Sequence, residues 1–169
     1  MTFKIYTKKG DEGNTTSLSG ESYRKNDTVI EAGGLVDEAI VSVQKARTYF
    51  DDDAMLKQWD RIVEALYLLG AEISKGKASG LTKSIDKGFV EKLEEKIDLY
   101  SIPISSFQYF NKESSLECEE AMVRVRKLER FLTTMLRQDR LRSPVYAYVN
   151  RLSDYLFTMS VYCEKNNVI

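Results

Sequence analysis

The sequence predicts an all-α fold, a five-helix up-and-down bundle preceded by an irregular N-terminal arm. Three observations carry that reading. Apolar residues recur at three- and four-residue spacing over five long segments. Most of the links between those segments are short, as in bundles of successive helices. The two prolines, Pro103 and Pro144, both fall in breaks between periodic segments. The 169 residues fit a single domain over 1–169, with the arm at 1–25 and the bundle at 26–169.

Each element has its own justification. Residues 1–25 are rich in Gly, Ser and Thr and lack a helical period. The first helix is expected from about Asp27 to Phe50, with Leu35, Ile40 and Val43 facing inward. Gly33 and Gly34 within it are each about 1 kcal/mol less favourable than Ala, so they point to close packing or backbone approach. The second helix, about Ala54 to Lys75, places Leu56, Trp59, Ile62, Val63, Leu66 and Leu69 on one face. Residues 76–85 read as a flexible loop. A third helix, about Asp86 to Tyr100, turns Phe89, Val90, Leu93 and Ile97 inward and gives way to a β-like segment around Pro103. The fourth spans about Lys112 to Gln138. The fifth spans about Ser143 to Lys165, with Ser143 as N-cap, Pro144 at the first helical position, and a stripe of Val145, Val149, Leu152, Leu156 and Met159.

Composition narrows the function. Hydrophobic residues make up 43% and charged residues 30%, and the formal net charge is −1, so no global field favours nucleic acid or a membrane surface. No apolar run approaches the ~20 residues of a spanning helix, and the N-terminus lacks a secretory apolar region. Cys118 and Cys163 stand far apart and imply neither a disulfide framework nor a zinc site. A reducing, cytoplasmic compartment is therefore expected. The chain contains no histidine. That removes His-based acid–base chemistry, a Ser-His or Cys-His nucleophile pair, and any His metal site. An enzyme with this composition works by positioning and charge, or receives its reactive centre from a cofactor.

Three places could carry chemistry. In the arm, Tyr6-Thr7-Lys8-Lys9-Gly10-Asp11-Glu12-Gly13-Asn14-Thr15-Thr16 gathers glycines, hydroxyls and ammonium groups. Glycines allow backbone N–H groups to converge on one point, as in loops that hold phosphates; the same residues also make an ordinary turn. Lys25, beside Asn26-Asp27, either belongs to a simple helix cap or reaches back to the arm. On the fourth helix Arg126 and Arg130 are one turn apart on one face, with Glu129 between. Two adjacent guanidiniums suit a polyphosphate, which planar forks bind bidentately, or form a solvated face with local ion pairs. On the fifth helix Asn150 and Asp154 flank Arg151 and Ser153; the Asn150 amide suits a nucleoside or an interhelical hydrogen bond. Phe107 and Phe110 read first as core or loop anchors.

Taken in order, these segments resemble the PduO-type ATP:cob(I)alamin adenosyltransferases over nearly the whole chain. The resemblance rests on Tyr6-Thr7 through Gly10-Asp11-Glu12-Gly13, Lys25-Asn26-Asp27, Val36-Asp37-Glu38, Leu68-Leu69-Gly70-Ala71-Glu72, Arg126-Lys127-Leu128-Glu129-Arg130 and, most specifically, Asn150-Arg151-Leu152-Ser153-Asp154. It implies a five-helix bundle assembled as a homotrimer with active sites between subunits. It further implies that Thr7, Lys8, Lys9, Gly10, Thr15, Thr16 and Lys25 cradle the phosphates of ATP. Arg126 and Arg130 would neutralise them, Glu129 would support, Asn150 would hold the nucleoside, and Mg²⁺ would arrive bridging the phosphates. Arg126, Arg130 and Asn150 are the residues expected to serve the reaction, and Phe107 and Asp37 those expected on the corrinoid side. Phe107 is the candidate aromatic wedge that displaces the lower cobalt ligand. A reductase or a corrinoid-dependent enzyme is the further partner implied.

The chain departs from that pattern in two places. Family members continue the aromatic position with Leu-Pro-Gly-Gly, whereas Phe107 is followed by Gln108-Tyr109-Phe110-Asn111-Lys112. One turn before Arg126 the family carries an arginine that pairs across subunits with the acid matching Asp37; here that position is Met122. Arg124 is the candidate replacement, the alternative being a solvated Asp37. The departures sustain a second reading, a non-catalytic ATP-binding trimer that carries a corrinoid or regulates a partner.

Overall fold

Asp27 and Asp86 start helices as their short carboxylates dictate, by accepting backbone N–H groups that a first turn leaves unpaired. Asp27 accepts from Val29 N at 2.9 Å and opens α1 (Thr28–Arg47); Asp86 accepts from Phe89 N at 3.3 Å and opens α3 (Lys87–Tyr100). Between them runs α2 (Asp53–Lys75), and the chain ends with α4 (Glu113–Arg137) and α5 (Ser143–Lys165). The computed structural model describes residue 6 and residues 8–75 and 83–166. Thr7 and most of the loop expected over 76–85 lie outside the described residues; Ile85, the last residue of that loop, is buried in the core.

The apolar stripes meet as their spacing requires. Leu35, Ile40 and Val43 of α1, Trp59, Ile62, Leu66 and Leu69 of α2, Leu93 of α3 and the whole predicted stripe of α5 are buried in one cluster. α4 supplies Cys118, Ala121, Val125, Leu128 and Leu132. Neighbours follow the sequence for α1 with α2 and for α4 with α5, while α1 also packs on α4 and α3 on α5. At the centre Trp59 lies between Phe50, at 5.0 Å, and Tyr155, at 5.8 Å between ring centroids. The Trp59 Nε1–H and the Tyr155 hydroxyl are buried without hydrogen-bond partners among the described residues, each an expense of about 1–3 kcal/mol set against a tightly packed aromatic centre.

Four local expectations are corrected. The arm is not irregular throughout: β1 (Asn14–Thr16) and β2 (Ser22–Arg24) form an antiparallel hairpin with Thr15 opposite Tyr23. Gly20, at φ 86°, allows its turn. Second, the segment after α3 is extended at Ser101 but pairs with no described strand. Third, Ser143 does not cap α5. The N-cap is Arg142, whose guanidinium has no acceptor to offer the first-turn N–H groups and makes no cap bond; it pairs with Glu72 instead. Arg142 Nε lies 3.1 Å from both Glu72 oxygens and Nη2 2.5 Å from Oε2, with Glu72 only 3% exposed. Fourth, Gly33 and Gly34 serve no close approach among the described residues of one chain, since a Cβ on either would meet none of their atoms within 4 Å.

Candidate active site

The arm is built around its glycines. Gly13, at φ 81°, donates to Gly10 O at 3.2 Å and accepts from Lys25 N at 2.8 Å, which closes the loop against the end of the hairpin. Lys8 sits in the left-handed region at φ 60°, a conformation unusual for a lysine and a mark of a constrained turn. The Lys25 side chain folds over that turn. A Cβ added to Gly10 would lie 3.1 Å from Lys25 Nζ and 3.4 Å from Asn14 O, so glycine there makes room for the ammonium group. The two readings of Lys25-Asn26-Asp27 coexist: Asp27 caps α1, while the Lys25 ammonium lies against the arm at Gly10. Thr15 and Thr16 stand on β1 with Lys8 and Lys9 exposed ahead of them. The hairpin is tied to the bundle by Leu18 N donating to Ser74 Oγ at 3.0 Å.

The second basic group is on α4. Arg126 and Arg130 are exposed on one face and make no ion pair with any described residue. Glu129, which the sequence offers as their neighbour, is engaged elsewhere: its Oε1 accepts from Asn150 Nδ2 at 2.7 Å. That bond joins α4 to α5 and fixes the Asn150 amide with its oxygen unengaged by Glu129. Tyr146 and Thr133 join the same helices at 3.0 Å, and Ser153 Oγ donates to Asn150 O at 2.9 Å. Arg151 is not part of a cationic cluster, since it pairs with Glu94 at 3.1 Å and Asp154 at 2.5 Å. No described hydrogen bond or ion pair joins the arm to Arg126, Arg130 or Asn150 within one chain.

Asp37 and Phe107 occupy separate places. Asp37 lines an open groove of about 340 Å³ between α1 and α4, together with Gly34, Glu38, Val41, Lys45, Glu120 and Arg124. The replacement pair expected of Arg124 and Asp37 is one between subunits; within the chain Arg124 is engaged by other acids. Arg124 Nη1 bonds Glu38 at 2.7 Å and its Nη2 lies 3.4 Å from Glu120, while Lys127 sits 3.2 Å from Glu38. Lys127 and Arg124 beside it hold the Glu38 carboxyl below its ordinary value. Asp37 stays exposed, and Met122 packs against the core. Phe107 lies on the linker between α3 and α4, 83% exposed, and so is neither of the anchors first read there. Phe110 is an anchor, with its ring 6.3 Å from Phe157.

Two features were missed from sequence. Glu164, near the end of α5, accepts from Asn111 N at 3.0 Å, Lys112 N at 3.2 Å and Ser115 Oγ at 2.5 Å, and so caps α4 from another helix. The signal available was the lack of a capping side chain at Lys112. Tyr109, beside Phe107, is 80% exposed and meets its ring at 5.4 Å and 72°.

Comparison with known proteins gives one answer. The cobalamin adenosyltransferase family matches residues 5–163. The corrinoid adenosyltransferase of Citrobacter freundii is 33% identical over 165 residues, covering 94% of this chain and 93% of that protein. The human corrinoid adenosyltransferase MMAB is 28% identical over 172 residues, covering 94% of this chain and 68% of that protein. Among solved structures, a phenylalanine-to-alanine variant of the PduO-type ATP:corrinoid adenosyltransferase of Lactobacillus reuteri, complexed with cobalamin and ATP, superposes with a TM-score of 0.83 at 25% identity. The match covers 96% of this chain and 94% of that one. An arginine-to-lysine variant of the same enzyme, complexed with ATP, gives 0.84 at 25% identity over 95% of this chain and 94% of that one.

Proposed function

This chain belongs to the cobalamin adenosyltransferase family, and from that premise we propose that it transfers the 5′-deoxyadenosyl group of ATP to the Co(I) centre of a reduced corrinoid. The Co(I) electron pair forms the new cobalt–carbon bond at C5′. The C5′–O bond breaks, and its electrons leave with the triphosphate. No proton moves, so no base is needed, in keeping with a chain that has no histidine. The protein's work is to hold the partners in line and to stabilise the charge that leaves.

One observation carries the assignment of residues. With Glu129 engaged by Asn150, Arg126 and Arg130 present two guanidiniums on one face without an acidic partner among the described residues. A triphosphate supplies what that face lacks. Lys25 over Gly10, with Lys8, Lys9, Thr15 and Thr16, supplies the other side of the phosphate site, and Thr7 is assigned to it from the sequence alone. Asn150 is assigned to the nucleoside. Mg²⁺ is assigned to the phosphates, carried in with ATP. No described hydrogen bond or ion pair joins the arm to the α4 arginines, and a homotrimer that brings one subunit's arm to its neighbour's α4 would complete the site. Asp37 and Phe107 are assigned to the corrinoid side. A cytoplasmic setting and a docked reductase supplying Co(I) belong to the same proposal.

The test is an anaerobic absorbance assay with MgATP and chemically reduced cob(I)alamin. Loss of the Co(I) band with growth of an alkylcobalamin spectrum is the expected result. A folded, ATP-binding protein without turnover would replace this reading with a carrier or regulator of the same fold, and would place the defect around Met122 and the linker.

A further inference from the structure

We infer that Tyr109 is a second corrinoid-contacting ring, set beside Phe107 and particular to the altered linker of this chain; the inference rests on the adenosyltransferase reading. A soluble chain normally keeps large aromatic rings inside, because each buries some 150–250 Å². Here two adjacent ones stand out of the bundle, Phe107 at 83% and Tyr109 at 80% exposure. The Tyr109 hydroxyl has no described hydrogen-bond partner, and its only described ring contact is Phe107. The position is therefore explained neither by the core nor by polar anchoring.

The linker is anchored to the bundle immediately after these rings. The Glu164 carboxylate binds the backbone of Asn111 and Lys112, and Lys112 Nζ reaches Asn166 O at 2.8 Å. Phe110 docks on Phe157 of α5, and Gln108 Nε2 donates to Ser106 O at 2.7 Å. Of the consecutive residues Phe107 to Phe110, Phe110 docks on the bundle, Gln108 bonds within the linker, and Phe107 and Tyr109 are exposed. The linker runs straight into α4, the helix that carries Arg126 and Arg130.

The angle between the rings says what they fit. At 72° they cannot both lie flat on one planar partner. One must meet it by its face and the other by its edge. A corrinoid offers a planar, largely apolar macrocycle with room beneath the metal, which accepts one ring edge-on and one across the face. With Phe107 as the edge-on wedge, Tyr109 supplies the flat contact. Its ring, not its hydroxyl, does this work.

The experiment compares the native chain with Tyr109→Ala and Tyr109→Phe in the anaerobic turnover assay, with sedimentation and ATP titration on each. Tyr109→Ala should raise KM for cob(I)alamin about tenfold, a loss of roughly 1.4 kcal/mol, with KM for ATP unchanged and the assembly state unchanged. Tyr109→Phe should behave as the native chain. In cob(II)alamin absorbance with MgATP present, Tyr109→Ala should also show a smaller fraction of the form lacking its lower ligand. Equal corrinoid KM in the native and Ala chains would overturn the inference. So would an equal loss in the Phe variant, which would assign the effect to the hydroxyl, or a changed assembly state in the Ala variant, which would make Tyr109 a subunit contact. Absence of turnover in the native chain would instead reject the activity itself.

Discussion

A hydrogen bond of 2.7 Å between Asn150 and Glu129 decides which charges the site presents. If Glu129 turned to either neighbouring arginine, α4 would show an ordinary neutralised surface, worth little to stability. By taking the amide instead, it leaves both guanidiniums available and fixes the amide's orientation. Arg126→Ala should therefore weaken MgATP binding by about 2 kcal/mol, roughly 30-fold in Kd, measured by titration calorimetry. An unchanged affinity would remove Arg126 from the site. Asn150→Ala should lower affinity for ATP but leave that for free tripolyphosphate nearly intact. An equal loss for both ligands would mean that the residue acts by releasing Glu129 onto the arginines. The pairing at Asn150 was one of two readings the sequence left open, because residue identity gives an amide's capacity but not its partner.

At the scale of elements, the helices were legible and their ends less so. Periodic stripes such as Val145 to Met159 announce themselves, since burial of every third or fourth residue is a local pattern. The hairpin was not legible, because Asn-Thr-Thr and Ser-Tyr-Arg are three-residue strands with no apolar alternation to betray them. The cap of α5 was misread because a serine before a proline is a local signal, while the deciding contact, Arg142 with Glu72, comes from α2. Glu164 escaped for the same reason, its partners lying 49 to 53 residues away. It also sits at the C-terminal end of its own helix, where a carboxylate is disfavoured, and is compensated by the N-terminus of α4. The Ser115 hydroxyl and the Asn111 and Lys112 N–H groups, with the Lys112 charge nearby, hold it below the ordinary carboxylate value of 4.5. Its contribution is complete above that value and is lost as pH falls through the depressed one. Thermal stability of Glu164→Gln should accordingly fall less on acidification than that of the native chain. Parallel loss in both would move the acid sensitivity to Glu38 and Glu120, the other depressed carboxylates.

The whole molecule divides its duties between a packed interior and two separated surfaces, the arm and the outer face of α4. The residues assigned to ATP fall in contiguous motifs, which is why the sequence could name them together. The residues assigned to the corrinoid, Asp37 and Phe107, lie on different elements, and within the chain Arg124 pairs with Glu38. In the proposed homotrimer a neighbouring subunit would bring such pieces together, and periodicity does not count subunits. Sedimentation equilibrium should give three times the chain mass. A monomer that still turns over would mean that the arm folds onto its own α4 when ATP binds.

The aromatic centre has a practical consequence. Trp59 is the only tryptophan in the sequence, and it is fully buried between Phe50 and Tyr155 with its N–H unpartnered. Its fluorescence should emit at short wavelength in the native chain and move to the red on denaturation. The molecule thus carries an intrinsic optical probe of its own unfolding. Because the exposed linker rings are tyrosine and phenylalanine, excitation selective for indole should let the collapse of the core be followed separately from events at the linker surface.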